Sequence, residues 1–107
     1  MATTPTLMFR GILTTTTTTQ LYAGAASGTA VVTNIALTNY TSAAATATIN
    51  LNNSGTAYPI LSAVTVPANT TALFDVKQVL NGTSNAITGG SNTATAIQAH
   101  ISGVVTV

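Results

Sequence analysis

The stretch Ala43-Ala-Ala-Thr-Ala-Thr-Ile-Asn-Leu51 alternates apolar and polar side chains with a period of two. Its odd positions carry alanine, isoleucine and leucine, whereas Thr46, Thr48 and Asn50 carry hydroxyl or amide groups. Successive side chains of a β-strand point to opposite faces, so this pattern is typical of a strand with one buried and one solvent-facing side. The residues therefore predict a β-sheet protein.

The same alternation recurs along most of the chain, and it divides the chain into short segments. Threonine and valine are frequent in these segments, and β-branched side chains fit a pleated surface. Further strands are predicted over residues 7–13, 20–23, 31–37, 58–66, 71–76 and 97–107, with turn-like sequences at 25–28, 52–55, 66–69 and 88–92. The predicted fold is all-β, a single β-sandwich (jelly-roll or Ig-like) of about seven or eight short strands.

The apolar sides of these segments predict the residues of the central core. Such positions must face inward once the register of an alternating strand is set. The predicted core residues are Phe9, Ile35, Leu37, Ile49, Leu51, Phe74, Ile97 and Ile101.

One segment, residues 75–81, departs from the period of two. Asp75 precedes Gln78 by three residues, which is the spacing of a capping box, and Asn81-Gly82 is a helix-ending signal. We therefore predict a short helical turn there, with Asp75 as its N-cap.

Two further segments carry no strong core pattern. Residues 1–6 are polar and contain Pro5, so they are predicted to form an N-terminal arm that orders only against a neighbouring subunit, and residues 7–107 form the sandwich domain. The run Thr14 to Thr19 is predicted to be an exposed edge strand or a loop. Neither a Sec-type signal nor a membrane span is expected, because the chain begins without a positively charged segment followed by an apolar core and has no long apolar run.

Charged chemistry is nearly absent. Charged residues make up 3% of the chain, which has two cations, one carboxylate, one histidine and no cysteine. Asp75 and His100 are the only candidates for an acid–base pair. Each also has a purely structural interpretation: Asp75 as a helix cap, and His100 as a residue on a polar strand face beside Gln98. One His and one Asp are too few to hold a metal ion, and Arg10 and Lys77 are too few for several phosphate contacts. We expect no enzymatic activity, no catalytic or metal site, no cofactor and no nucleic-acid partner.

Several blocks of the sequence resemble small Thr/Ala-rich proteins encoded among the virion structural genes of tailed bacteriophages. These blocks are Thr4-Pro-Thr-Leu-Met-Phe-Arg-Gly11, Val31-Val-Thr-Asn-Ile-Ala-Leu-Thr-Asn39, Val66-Pro-Ala-Asn-Thr70, Phe74-Asp-Val-Lys-Gln-Val-Leu-Asn81 and His100-Ile-Ser-Gly-Val104. The resemblance implies an all-β structural protein of the virion, made in the host bacterial cytoplasm, with no family active site. It leaves open whether the protein sits on the capsid or on the tail.

The expected role is that of a capsid decoration or cement protein. A neutral surface lacks the charge repulsion that keeps monomers apart, so we expect a homo-oligomer, a trimer, bound to the major capsid protein or other virion proteins through apolar and backbone contacts. One alternative is a tail-associated virion protein. The other is a carbohydrate-binding sandwich that uses Tyr22, Tyr40 or Tyr58 as a stacking platform.

Overall fold

The computed structural model describes residues 3–24 and 28–106, and over these ranges the chain forms nine β-strands and no helix. The strands are β1 (Thr3–Ile12), β2 (Gln20–Ala23), β3 (Thr29–Asn39), β4 (Ala45–Asn53), β5 (Thr56–Val66), β6 (Thr70–Phe74), β7 (Gln78–Asn81), β8 (Asn85–Ser91) and β9 (Ile97–Thr106). The prediction of an all-β chain is confirmed, with nine strands in place of the seven or eight expected.

The strands form two antiparallel sheets. The five-stranded sheet has the order β1-β9-β3-β6, with β7 also pairing with β3, and the four-stranded sheet has the order β2-β8-β4-β5. Among the described strands, β4 and β5 are the only consecutive pair that lie side by side, because most connections cross from one sheet to the other. This is the order of a jelly roll, with β6 and β7 together filling one strand position, rather than that of an immunoglobulin domain.

The core lies between the two sheets and contains all eight predicted residues. Ile35, Leu37, Ile49, Ile97 and Ile101 are fully buried. The other three, Phe9, Leu51 and Phe74, are partly buried and pack against this cluster. The predicted core is therefore confirmed.

The predicted helical turn at 75–81 is wrong. Residues Gln78–Asn81 form β7 and pair with β3, where Leu80 lies opposite Ala30 and is completely buried. A helical turn would give up this backbone pairing and the burial of Leu80, and these long-range contacts outweigh the local capping signal. Asp75 caps no helix; its carboxylate accepts a hydrogen bond from the ammonium group of Lys77.

The segment predicted as an N-terminal arm is paired within the chain over its described part. Thr3 lies opposite Thr106 and Thr6 opposite Gly103, so residues 3–6 extend β1 along β9. Met1 and Ala2 lie outside the described residues.

The turn predicted at 88–92 is also wrong, since Gly89 and Gly90 lie inside β8 and pair with β4. The turn predicted at 52–55 is confirmed by the β4–β5 connection, where Gly55 has a φ of 93°. Glycine is suited to this position because it has no Cβ to resist a positive φ.

Candidate interaction surface

The outward-facing side of the five-stranded sheet, called here the outer face, carries a row of apolar residues across four strands. Pro5 of β1 lies opposite Val104 of β9, which lies opposite Val31 of β3, which in turn lies opposite Val79 of β7. Half of Val79 is exposed to solvent. An apolar row on the solvent side of a sheet is unusual, because that side of an antiparallel sheet is ordinarily polar.

A second row crosses the same face nearer to its other end. Arg10 of β1 lies opposite His100 of β9, followed by Ala36 of β3 and Leu73 of β6. Leu73 is 70% exposed, the highest value for any large apolar side chain in the described part of the chain. Leu7 and Ile12 are exposed as well, so aliphatic side chains stand out from both edges of the outer face.

A shallow depression of about 410 Å³ lies between the two rows, next to irregularities in β1 and β3. The register of β1 shifts between Leu7 and Phe9, and that of β3 shifts between Val32 and Asn34. Leu7, Arg10, Ser102 and Val104 are among the residues that line the depression. It combines apolar walls with one cation and hydroxyl groups, and it is large enough to accept a side chain of another protein.

The other sheet has part of its outward side covered by its own chain. Asn50 of β4 donates a hydrogen bond to the carbonyl of Thr17 at 2.9 Å, and Ser91 of β8 donates its backbone N–H to the carbonyl of Thr14 at 2.8 Å. The run 14–19, called here the threonine loop, is therefore a loop that folds over β8 and β4. Of the two predicted alternatives, an edge strand and a loop, the loop is confirmed. The two outward sides of the sandwich thus differ: the loop covers part of β8 and β4 on one side, and no such loop lies over the described strands of the outer face.

The structure does not bring Asp75 and His100 together as an acid–base pair. Asp75 is paired with Lys77, both side chains being largely exposed, and His100 lies on the outer face with Arg10 as its neighbour on β1. Across residues 3–24 and 28–106, no group of three or more His, Cys, Asp or Glu residues could hold a metal ion. In the part of the chain that the structure describes, no helix is long and apolar enough to cross a membrane.

The three tyrosines do not form one platform. Tyr22 is on β2 and Tyr58 on β5, the two opposite edges of the four-stranded sheet, and Tyr40 follows β3 of the other sheet. Tyr40 and Tyr58 are about half exposed, whereas Tyr22 packs partly against the core.

The apolar rows of the outer face were not predicted, although the sequence carries a signal for them. In β3, β6, β7 and β9, one pair of large consecutive apolar residues in each strand interrupts the alternation: Val31-Val32, Leu73-Phe74, Val79-Leu80 and Val104-Val105. In each pair the second side chain faces the core and the first faces outward. Consecutive apolar residues in a strand therefore indicate that both sides of the sheet carry apolar side chains.

Comparisons with known proteins show similarity at the level of fold. Neither a protein-family model nor the sequence of a curated protein matches this chain. A chain from the T13 viral particle of infectious bursal disease virus superposes with a TM-score of 0.58 and 15% identity, covering 99% of this chain and 31% of that one. A chain from the Gx strain of the same virus gives 0.53 and 16%, covering 99% and 32%. This chain therefore spans about a third of the length of these viral chains, and it has the β-sandwich fold that they contain.

Proposed function

We propose that this chain is a structural protein of a virus particle, and that it decorates or cements the capsid shell of a tailed bacteriophage. The observation that carries the proposal is the outer face, where exposed aliphatic residues such as Leu7, Leu73 and Val79 remain without a partner within the described chain. Exposed large apolar side chains grouped on one side of a protein are typical of a site that binds another protein.

The outer face has the dimensions of a protein interface. Four strand positions at about 4.8 Å and about ten residues at roughly 3.4 Å give a face of roughly 20 by 30 Å, of the order of the ~800 Å² that each partner contributes to a stable complex. Its partners in this proposal are further copies of the chain, as a homotrimer, and the major capsid protein. Arg10 is the only formally charged side chain in the two rows, so binding depends mainly on apolar and backbone contacts.

Two independent likenesses support the assignment to a virion. The jelly-roll sandwich occurs in chains of viral particles, and the sequence blocks quoted above resemble structural proteins of tailed phages. Binding to a capsid shell requires no catalytic group, so this role also suits a chain with one acidic side chain and one histidine.

Immunogold electron microscopy with antibodies raised against the purified chain tests the proposal. We expect gold particles on the capsid shell of intact phage, and none on particles grown from a phage that lacks the gene. Labelling of the tail would contradict the decoration role and support the tail-associated alternative. Particles that carry no label, together with absence of the chain from their protein content, would contradict a virion role altogether.

A further inference from the structure

We infer that copies of this chain join head to tail through the two opposite edges of the five-stranded sheet, with Arg10 of one copy facing Asp75 of the next. The inference rests on the self-association included in the proposed function, and it names the surfaces that carry that association. The partner is a second copy of the same chain.

Both edges of this sheet are free to pair. Among the described residues, β1 pairs only with β9, and β6 and β7 pair only with β3. Each edge therefore presents backbone N–H and C=O groups that can accept another strand. The edges also match in length, since β1 has ten residues and β6 and β7 together have nine.

The edges of the four-stranded sheet are less suited to pairing. One edge is β2, which has four residues. The other is β5, which contains Pro59 and has an irregular register near Ala63, a non-glycine residue with a φ of 46°. Proline lacks the N–H that a strand ladder requires, and irregularities of this kind protect an edge from pairing. β1 also has a proline, Pro5, and a register shift between Leu7 and Phe9, so its regular open part is the segment from Phe9 to Ile12, which carries Arg10.

The cross-strand register places complementary groups at the two edges. β6 runs antiparallel to β1, because each of the three pairings that connect them is antiparallel. A copy placed beside another in the same orientation would lay its β1 antiparallel against β6 and β7 of its neighbour. Arg10 shares a row with Leu73, so Asp75, two residues further on, would lie diagonally across from the incoming Arg10. Diagonal neighbours on adjacent strands are about 7–8 Å apart, which a long side chain such as arginine can span.

The charged side chains of the chain favour the head-to-tail contact over a contact between the β1 strands of two copies. Arg10 is exposed, and within residues 3–24 and 28–106 its side chain has neither an ion pair nor a hydrogen bond. Asp75, the only acidic side chain of the sequence, is on the opposite edge; it is already paired with Lys77, but 79% of its side chain stays exposed and can accept a second cation. A contact between two β1 strands would offer Arg10 no acidic partner, whereas the head-to-tail contact offers one at every joint.

Apolar side chains stand beside the charged pair on both edges. Leu7 and Ile12 are exposed on β1, and Leu73 and Val79 are exposed on the other edge. These contacts supply affinity, and the ion pair at the rim fixes the register, which is the usual division between apolar and charged groups at an interface. A head-to-tail contact closes into a ring when its rotation permits, as a trimer requires.

Charge reversal tests the inference through the strength of self-association. Sedimentation velocity at low salt over a concentration series would compare the natural chain with Arg10→Glu, Asp75→Arg and the double variant that carries both changes. We expect each single reversal to weaken association about tenfold, because it places like charges opposite each other. We expect the double variant to recover to within about threefold of the natural chain, since it restores an opposite pair.

Lys77→Glu is the matched control, because it changes the net charge by the same amount as Arg10→Glu. It adds negative charge beside Asp75, so we expect it not to weaken association. Equal weakening by both variants, or a double variant that does not recover, would overturn the inference while leaving the self-association intact. A natural chain that stays monomeric would instead contradict the self-association itself. Thermal unfolding of every variant checks that these exposed substitutions leave the fold intact.

Discussion

Asn39 shows how a single buried amide can join the two sheets. Its side chain is completely buried, and its Nδ2 donates to the carbonyls of Ala43 at 2.8 Å and Val66 at 3.0 Å. Its Oδ1 accepts from the backbone N–H of Thr41 at 2.9 Å and from the hydroxyl of Thr41 at 2.7 Å. Both donors and both acceptor positions of the amide are used, so Asn39 links the end of β3 to the end of β5 in the other sheet.

Replacing Asn39 with alanine should therefore be costly. We expect Asn39→Ala to lower the free energy of unfolding by about 2–4 kcal/mol, because the buried carbonyl of Val66 loses a donor and the amide's bonds to Ala43 and Thr41 are lost as well. Chemical denaturation measures this change. Asn34→Ala, on the same strand, is the control: no side-chain hydrogen bond of Asn34 occurs in the described residues, and we expect a change within about 0.5 kcal/mol. Similar losses for the two variants would contradict this role of Asn39.

The loss of Asp75 should have little effect on stability. A helix cap would be worth about 0.5–2 kcal/mol, but Asp75 takes part instead in an exposed ion pair with Lys77. Exposed pairs contribute little, so Asp75→Ala should change the free energy of unfolding by less than about 0.5 kcal/mol. A loss above that value in chemical denaturation would contradict this assignment of Asp75 to a weak exposed pair.

At the scale of elements, the threonine loop and β8 depend on each other. β8 is buried along most of its length, and the backbone N–H groups of Gly89 and Ser91 donate to the carbonyls of Thr19 and Thr14. The loop therefore completes the hydrogen bonding of β8 next to the short strand β2. This close approach requires the absence of a side chain at Gly90.

Gly90→Ala should push the threonine loop away from β8. A Cβ atom at this position would lie 2.6 Å from the carbonyl oxygen of Thr16 and 2.8 Å from that of Thr14, closer than atoms can approach. We expect a loss of about 1–3 kcal/mol in the free energy of unfolding, as for other overpacked sites. Amide hydrogen exchange should accelerate at Gly89 and Ser91. Thr15→Ala, at an exposed position of the same loop, should leave both measurements unchanged. Unaltered exchange in Gly90→Ala would show that the loop does not hold β8.

The elements that could be predicted from the sequence are those whose pattern is set locally. The alternation at 43–51 and 31–37 identified β4 and β3, because burial on one side of a strand repeats every second residue. The pairing of β7 with β3, and the packing of Gly90 under the threonine loop, depend on residues far away in the chain. Local signals at Asp75 and at Gly89-Gly90 therefore predicted a helical turn and a turn where the structure has strands.

The candidate interaction surface could be predicted only in part. Consecutive apolar residues such as Val79-Leu80 indicate that a strand has two apolar sides. Their alignment into rows depends on the register shifts in β1 and β3, which no local sequence pattern specified. The positions of Arg10 and Asp75 on opposite edges likewise required the strand order β1-β9-β3-β6.

For the molecule as a whole, the scarcity of charge predicts how it would be held on a particle in the proposed role. Raising the salt concentration to 1 M shortens the Debye length to about 3 Å and weakens attachment that depends on charge, but it does not weaken apolar contacts. We therefore expect the protein to stay on purified particles during a wash with 1 M salt and to leave them in denaturant. Gel analysis of the pelleted particles measures both. Release by moderate salt alone would contradict attachment through the outer face.

The most direct test of the account is a cryo-electron microscopy reconstruction of intact particles, at a resolution that separates the strands. The account predicts a nine-stranded sandwich on the capsid shell, repeated as rings in which β1 of one copy lies against β6 and β7 of the next. It also predicts that the threonine loop faces away from the joints between copies. Sandwiches on the tail, or isolated copies on the shell with both edges of the five-stranded sheet exposed to solvent, would contradict it.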